Sequence, residues 1–309
     1  GTFKYMATSD QSRPVLAMCQ PEHFGVQYEI NPWMEGNIDR TDAARARDQW
    51  DALHSLLAER AEVRVMEPAP HLPDMCFIAN AGLVLDDVFV PSVFRVPQRA
   101  PEVPHFHRWF EEQGFALETL SSESAFEGEG DALFHSRPND PPLLWAGYGV
   151  RSGLLSHRQL TEIFRCEVVS LRLVDQRFYH LDTCLSPLPD GGLMFYPAAF
   201  DRRSLEAIHA RTPEADRVEV STADALGFCC NAVAIGNNVE ANGVASVAIG
   251  GDPNGNGFGT RAAADYAVAI GGDAAANSPR SVAVGGVANA GAAGAIASVV
   301  RKFIHRLLS

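Results

Sequence analysis

Three acidic residues that alternate with glycine are the clearest candidates for chemistry in this sequence. They lie in the segment Ala125-Phe-Glu-Gly-Glu-Gly-Asp131, which is flanked by the apolar side chains of Phe126 and Leu133. Carboxylates in such a setting cannot all be buried without a cationic partner. Binding a cation is one way for such a loop to satisfy them. Its spacing does not match the calcium loop of an EF-hand, so no metal is expected.

A second candidate segment is Leu72-Pro-Asp-Met-Cys-Phe-Ile-Ala-Asn-Ala-Gly82, in which polar residues stand next to apolar ones. It places Asp74 at the end of a turn that begins with proline, and Asn80 at the edge of the next strand. Asp74 would be either a partly desolvated carboxylate or a turn residue that caps its own backbone. The sequence leaves both interpretations open.

A third candidate segment is Tyr179-His-Leu-Asp-Thr-Cys-Leu185. If it is a strand, its alternation places His180, Asp182 and Cys184 on one face, because successive side chains of a strand point to opposite sides. A lone histidine in a strand is more often structural, but the neighbouring Asp182 favours a shared proton or ligand.

Composition limits the function classes. The chain has 309 residues, 46% of them hydrophobic, and a formal net charge of -13. An acidic chain without a run of Lys and Arg is not expected to bind nucleic acid, whereas a small cationic ligand suits it. No stretch approaches the roughly 20 apolar residues that cross a bilayer, so we expect no membrane partner and a cytoplasmic location.

Six cysteines stand in apolar contexts without the paired spacing of a zinc site. We expect most of them to be buried thiols, with no disulfide framework and no cofactor. They are Cys19, Cys76, Cys166, Cys184, Cys229 and Cys230.

Elements that could position these residues recur in a ββαβ order, which predicts an α/β fold. Four such units are recognisable, and a fifth begins at Asn231. The predicted helices are Thr41–Ala58, Val103–Gln113, Ser156–Phe164 and Arg202–His209. The predicted strands include Val63–Met66, Gly82–Phe94 as a hairpin, Ala116–Leu120, Glu167–Leu171, Phe178–Leu188, Leu193–Tyr196 and Arg217–Val220.

The fifth unit gives way to a different pattern. Ala232-Val-Ala-Ile-Gly236 is followed by Ser246-Val-Ala-Ile-Gly250, Ala267-Val-Ala-Ile-Gly271 and Ser281-Val-Ala-Val-Gly285. This register predicts short strands stacked into a β-roll, with Val and Ile directed inward and Gly or Asn at the corners. An Ala/Gly-rich linker is the alternative, although a linker need not keep the register.

Five motifs in order resemble the bacterial branch of the amidinotransferase, arginine deiminase and dimethylargininase superfamily. The motifs are Met18-Cys-Gln-Pro-Glu-His-Phe24 with Ile30-Asn-Pro-Trp-Met34, Pro73-Asp74 to Asn80-Ala-Gly82, Phe126-Glu-Gly-Glu-Gly-Asp131, Gly147-Tyr-Gly-Val-Arg151 and His180-Leu-Asp-Thr183. The resemblance implies a pentein fold, a five-bladed ββαβ propeller around a central polar site. The matching part of the chain is residues 14–236.

The resemblance also implies roles for individual residues. Asp74, with Asn80 beside it, would hold the guanidinium group of an arginine-like substrate, and Asp182 would complete the cation site. His180 would be the acid and base, paired with Glu127 or Glu129, since the motif leaves the register of the active acid open. Arg151 and Arg95 would bind the substrate carboxylate. The reaction would be hydrolysis or transfer of the amidino group through a thiolate.

That thiolate is missing from its expected place. The resemblance places it in a glycine-rich loop after the last strand, but no cysteine follows Cys230 in this sequence. Cys229 and Cys230 are the candidates for a substitute, yet the run Phe-Cys-Cys-Asn favours buried strand residues. The nucleophile is therefore unknown, and activity is expected to be impaired.

Residues 237–300 resemble the 14-residue head repeats of trimeric autotransporter adhesins instead. The join falls on a hexapeptide acceptable to both families, which suggests a chimaeric sequence. The alternative function is thus a binding or adhesive module that forms homo-oligomers on an inactive scaffold. Residues 1–13 are expected to be a disordered leader, and 301–309 part of a short helix.

Overall fold

The computed structural model describes residues 14–59, 61–136, 141–188 and 191–231, followed by short strands within 233–298. The expected leader at 1–13 and the expected helix at 301–309 lie outside the described residues. The chain divides into two compact units. The first takes the described residues within 1–134, 143–182 and 198–204, and the second those within 135–142, 183–197 and 205–309.

Helices and strands alternate through the first 231 residues. The helices are α1 Ala43–Ala58, α2 Val103–Glu112, α3 Leu154–Phe164, α4 Arg202–Arg211 and α5 Thr222–Leu226. The strands are β1 Val15–Cys19, β2 Glu62–Met66, β3 Gly82–Leu85, β4 Val88–Pro91, β5 Ala116–Leu117, β6 Ala132–His135, β7 Leu143–Tyr148, β8 Glu167–Arg172, β9 Leu185–Pro187, β10 Leu193–Phe195 and β11 Arg217–Glu219.

These strands form small separate sheets. β1 pairs with β2 in parallel, and three-stranded sheets have the orders β3-β4-β5, β6-β7-β8 and β9-β10-β11. In the first and last of these, an antiparallel hairpin is followed by a helix and a parallel third strand. The crossover helix is needed because parallel neighbours cannot be joined by a tight turn. This is the ββαβ order that the sequence predicts.

The predicted helices are present with bounds that differ by a few residues. At α1 the side chain of Asp42 accepts a hydrogen bond from the Arg45 backbone N–H at 3.0 Å, which satisfies one of the free donors of the first turn. Only Leu57 of α1 is fully buried, and Trp50, Leu53 and Leu56 are half-buried.

The strand predicted at Phe178–Leu188 is wrong over most of its length. Only β9 is extended, and Leu181–Thr183 forms a 3₁₀ helix. The cause is a tertiary contact, because Oδ1 of Asp131 accepts the Leu181 backbone N–H at 3.1 Å. That donor would otherwise serve a strand ladder. His180, Asp182 and Cys184 therefore do not share a strand face.

Buried aromatic side chains fill the first unit. One core cluster includes Phe89, Phe106 and Phe110, and the Phe89 and Phe110 rings stack with centroids 3.7 Å apart. A second cluster includes Phe126, Leu144 and Leu160. Within the described residues no helix is both long and apolar enough to cross a membrane, and no group of three or more potential ligands is placed to hold a metal ion.

Short strands follow the repeat positions after residue 232. Val233–Ile235, Val247–Ile249, Val268–Ile270, Val282–Val284 and Ile296–Ser298 (β12, β14, β16, β18 and β20) form one parallel sheet. Glu240–Ala241, Arg261–Ala262, Ala275–Ala276 and Asn289–Ala290 (β13, β15, β17 and β19) form another. Equivalent repeat residues pair in register, as Val233 does with Val247. The predicted inward direction of the Val and Ile side chains lies outside the described residues.

Candidate functional site

Short 3₁₀ helices lead into the first strands of the three-stranded sheets, and several polar residues of the site lie in them or directly beside them. Ile78–Ala81 precedes β3, Gly128–Gly130 precedes β6, and Leu181–Thr183 precedes β9. A backbone bridge between Phe126 and Val93 fixes the start of the second segment. Each of these three segments therefore occupies the same position, just before the first strand of its three-stranded sheet.

His180 is the centre of the site and is 5% exposed. Its Nδ1 lies 3.2 Å from Oδ2 of Asp131, and its Nε2 lies 3.5 Å from Oε2 of Glu127. Burial by itself lowers the pKa of His180, but the charges of Asp131, Glu127 and Asp182 outweigh it, so the pKa is raised above its ordinary value. The imidazole is therefore held in a form that can donate a proton near neutral pH.

The raised pKa of His180 predicts a pH dependence of stability. A histidine whose folded pKa exceeds its unfolded value of about 6.5 contributes its full stability below that value and loses it as pH rises through the folded pKa. Urea unfolding between pH 6 and 9 should show this decline in the native protein and a flatter profile in His180→Gln. His157, whose pKa burial lowers, acts below pH 6.5 and serves as an internal contrast. Parallel profiles for the two proteins would contradict the expectation.

Asn80 joins His180 to the acidic loop. Its Nδ2 lies 3.4 Å from Nε2 of His180 and donates to the Glu127 carbonyl at 3.3 Å. Gly130 passes so close that a Cβ at this position would overlap the Asn80 amide and come within 3.3 Å of His180 Nδ1. The second glycine of the acidic loop is therefore required by the packing of the site.

Substitution of Gly130 by alanine should displace the Asn80 amide. We expect Gly130→Ala to destabilise the fold by about 1–3 kcal/mol, the usual cost of overpacking, and to shift the His180 ring resonances. Gly25→Ala is the matched control, because nothing lies within 4 Å of a Cβ there. Chemical denaturation and histidine NMR measure the two effects. Equal stabilities of the two variants would show that the site tolerates the added methyl group.

The predicted arginines lie in the same network. Nη1 of Arg151 pairs with Oε2 of Glu127 at 2.9 Å, and its Nη2 donates to the Ile30 carbonyl at 2.6 Å. Arg95 is exposed; its backbone N–H donates to Oε1 of Glu127 at 3.1 Å and its Nε to the Arg151 carbonyl at 2.7 Å. Glu127 is thus bound on both oxygens by residues from other segments.

Asp74 differs from the other acids because it is almost fully buried and only half satisfied. Its Oδ2 accepts from the Tyr28 hydroxyl at 2.8 Å, whereas its Oδ1 is buried without a hydrogen-bond partner among the described residues. Burial raises the pKa of Asp74, and the charges of Arg99 and Arg151 and the Tyr28 hydrogen bond only partly oppose it. An unsatisfied buried carboxylate oxygen favours a cationic donor.

The two remaining predicted acids are less buried than Glu127. Asp182 is half-buried, and its charge helps to raise the pKa of His180 and, after the larger effect of burial, the pKa of Tyr179 to about 12. Glu129 is half-buried and lines a largely apolar cavity with Leu16, Ile78 and Trp109. Glu127 rather than Glu129 is therefore the acid beside His180.

Four residues of the network were not predicted from the sequence. Ser152 donates to Oδ2 of Asp131 at 2.6 Å and accepts the Glu127 backbone N–H at 3.0 Å. The others are Tyr28, Arg99 and Glu102. Asp131 was predicted as the third acid of the loop but was given no role, and the structure places it beside Nδ1 of His180. Ser152 could have been recognised as the neighbour of Arg151, whereas the sequence offers no signal for Tyr28, Arg99 and Glu102.

The cysteines that could supply a thiolate are buried among apolar residues or have raised pKa values. Cys229 and Cys230 occupy a turn after α5, not a strand, where Phe228 has φ 60°. They pack with Leu188 and Met194 in the second unit. In the first unit, burial raises the pKa of Cys19 to about 12 and also raises that of Cys76. Cys19 and Cys76 are therefore poor sources of thiolate at neutral pH.

Several known proteins with similar sequences are named as enzymes that act on arginine or dimethylarginine. No protein-family profile matches the chain. The bifunctional arginine dihydrolase/ornithine cyclodeaminase ArgZ of Synechocystis sp. is 48% identical over 227 residues, which are 74% of this chain and 32% of that protein. The chain thus spans about a third of the length of this bifunctional relative. The crystal structure of the N-terminal domain of ArgZ, a cysteine-to-serine variant bound to substrate, has a TM-score of 0.69 and 49% identity, covering 71% of this chain and 80% of that one.

A shorter relative matches along most of its own length. The N(G),N(G)-dimethylarginine dimethylaminohydrolase of Mycobacterium tuberculosis is 38% identical over 224 residues, which are 72% of this chain and 71% of that protein. These matches and the polar centre described above agree with the resemblance found in the motifs. The chain therefore belongs to the dimethylargininase family of the pentein superfamily.

Proposed function

We propose that the site binds the guanidino group of arginine-like molecules and is built for hydrolysis of that group, with the nucleophilic step impaired. The observation that carries the proposal is the buried, unpartnered Oδ1 of Asp74 in a network that contains Glu127 and His180. A guanidinium ion is planar and cationic and donates in pairs, so it satisfies such carboxylates better than a neutral amide does.

The remaining roles follow from the same chemistry. His180 protonates the departing amine and later activates water, and Glu127 and Asp182 stabilise its cationic form. Arg151 and Arg95 are proposed to receive the substrate carboxylate, which requires Arg151 to exchange its contact with Glu127 for the ligand. Asn80 orients the reacting group. The hydrolase names of ArgZ and of the mycobacterial relative support hydrolysis over transfer to another amine.

The proposed impairment of the nucleophilic step rests on the positions and environments of the cysteines. The guanidinium carbon is a poor electrophile, and this family attacks it with a thiolate. No cysteine follows Cys230 in the sequence, and the buried environments of Cys19 and Cys76 disfavour a thiolate. The chain is proposed to keep the proton-transfer and cation-binding half of the site.

A ligand titration tests the binding part of this proposal. NMR titration of the native protein with arginine, methylarginines and citrulline should show shifts of the His180 resonances for the cationic ligands, at millimolar concentrations. Citrulline, which is neutral at the reacting group, is the matched control and should bind at least tenfold more weakly. Equal responses to arginine and citrulline would remove the support for a guanidinium site.

The stacked strands favour a second candidate, a self-associating binding module. The in-register pairing of β12, β14, β16, β18 and β20 supports the adhesin-like repeats expected over 237–300, with the guanidino domain at 14–236 as a scaffold. Light scattering is expected to give three times the monomer mass of 33.4 kDa if the repeats trimerise. A monomer would remove this candidate and leave the first unaffected.

A further inference from the structure

A buried ion pair, Arg99 with Glu102, contacts the site through Asn80 and the backbone of Asp74. Arg99 is 3% exposed and Glu102 is 0% exposed. Nε of Arg99 donates to Oε1 of Glu102 at 3.0 Å, and Nη2 donates to Oε2 at 2.8 Å, which is a two-point contact. The guanidinium also lies over the Phe94 ring at 4.6 Å. Removing two charges from water is costly, and the geometry must repay that cost through further contacts.

The donors of Arg99 that Glu102 leaves free point toward the site. Nη1 donates to Oδ1 of Asn80 at 2.8 Å, and Nη2 donates to the backbone carbonyl of Asp74 at 3.0 Å. The planar guanidinium of Arg99 therefore contacts both Asp74 and Asn80, which precede β3 in the sequence. Lysine could not do the same, because its single ammonium lacks the planar fork.

The contact with Asn80 fixes which way round its amide lies. An arginine side chain can only donate hydrogen bonds. The Asn80 amide must therefore lie with its acceptor, Oδ1, facing Nη1 of Arg99. The Asn80 Nδ2 group is then directed at the Glu127 carbonyl and at Nε2 of His180. A flipped amide would place donor against donor at Arg99.

The fixed Asn80 amide influences which ring nitrogen of His180 carries the proton. Nε2 of His180 faces a donor from Asn80, while Nδ1 faces the acidic Oδ2 of Asp131. In the neutral ring, this arrangement favours a proton on Nδ1 and a lone pair on Nε2. Nε2 is also the ring atom beside Glu127.

We propose that Arg99, held by Glu102, is a positioning residue that locks the Asn80 amide and thereby makes Nε2 the proton-accepting atom of His180. The inference rests on the proposed function, because it assigns the ring atom that exchanges protons with the substrate. Arg99 itself acts through Asn80. Its effect on the ring is present without any substrate, which allows it to be tested separately from turnover.

Nitrogen NMR of histidine-labelled protein reads the state of the ring directly. Signals of His180 are assigned by their loss in His180→Gln. The native protein is expected to show the Nδ1-protonated form when neutral. In Arg99→Lys, which keeps the charge but not the fork, we expect a mixture of the two forms and a rise in the pKa of His180 of about one pH unit, since a donor no longer opposes protonation of Nε2. Glu102→Gln, whose amide oxygen can still accept from Arg99 and so keep its contact with Asn80, is the control and should keep the native form.

A second variant covers the case in which Arg99→Lys does not fold. Asn80→Asp has nearly the same shape, still offers an acceptor to Arg99, and presents an acceptor instead of a donor to Nε2. It should move the neutral-form proton from Nδ1 toward Nε2 and raise the pKa of His180 by more than Arg99→Lys does. If His180 keeps its native form in both variants, or in Asn80→Asp alone where Arg99→Lys fails to fold, the positioning role is refuted. A failure to bind arginine with the native ring form intact would instead count against the proposed function alone.

Discussion

Arginine and its methylated derivatives should be converted to citrulline by the 309-residue protein far more slowly than by an ordinary enzyme, at well below about 1 per second. Loss of the nucleophile from a catalytic unit that acts in concert can cost about a millionfold in rate, whereas a lost binding contact costs a few kcal/mol. His180 and Glu127 can still orient water. Water, however, must then attack a resonance-stabilised carbon without the covalent step that divides the barrier.

A colorimetric ureido assay measures this, with His180→Gln as the background control. Turnover near 1 per second would show that a nucleophile is supplied, and the cysteine variants would identify it. If activity disappears in Cys229→Ala or Cys230→Ala, the interpretation of these thiols as buried packing residues of the second unit is wrong. If both variants keep native stability and the same residual rate, neither of these two thiols is the attacking group.

Local patterns predicted the elements well where one face of an element decides its structure. The α1 start was readable because Thr41 and Asp42 precede a helical pattern, and Asp42 is the observed cap. The hairpin of β3 and β4 was readable because apolar strands flank the Asp86-Asp87 turn. In both places the sequence neighbours of a residue are also the groups that determine its conformation.

The same approach failed where a distant side chain decides the backbone. The alternation around His180 is typical of a strand, but Asp131 captures the Leu181 N–H and bends the chain into a 3₁₀ helix. Sequence spacing also cannot show that Arg99 and Glu102 are buried, since an i,i+3 pair of this kind is usually exposed. Its burial depends on the packing of Phe94 and on Asn80, which approach from other segments.

The site residues were predicted in part, because motifs identify residue types but not the distant contacts that orient them. Motif types and order indicated Asp74, Asn80, Glu127, Arg151 and His180, and the structure brings these five into one connected network. The sequence could not choose between Glu127 and Glu129, because each is an acid next to glycine in the same loop. The structure distinguishes them through distant contacts, since the Arg95 backbone N–H and the Arg151 guanidinium bind the carboxylate of Glu127 beside His180.

Replacement of Asp74 by asparagine should raise the stability of the fold and weaken the binding of arginine in the same variant. The pKa of Asp74 is raised by burial, so the folded protein binds its proton more tightly than the unfolded chain does. Stability is therefore lost as pH rises from the ordinary value of about 3.9 through the folded pKa. Asparagine resembles the protonated acid in shape and charge and removes that loss. The gain is limited because the new amide donor has to find an acceptor in a buried place.

We expect Asp74→Asn to gain about 1 kcal/mol in urea unfolding at pH 7, with the gain shrinking to nothing as pH falls below about 3.9. Asp175→Asn is a matched control of opposite sign, because Arg177 lowers the pKa of Asp175 and its removal should cost about 0–1 kcal/mol. Binding should change in the other direction, with the affinity of Asp74→Asn for arginine falling about 10- to 100-fold, as expected for loss of a hydrogen bond to a charged group. In the native protein that affinity should rise with pH through the folded pKa of Asp74, whereas the affinity of the variant should not. A variant that is both less stable and unchanged in binding would show that the buried carboxylate is a structural residue, hydrogen-bonded by Tyr28 and stabilised by the charge of Arg99, and that the guanidinium is held elsewhere.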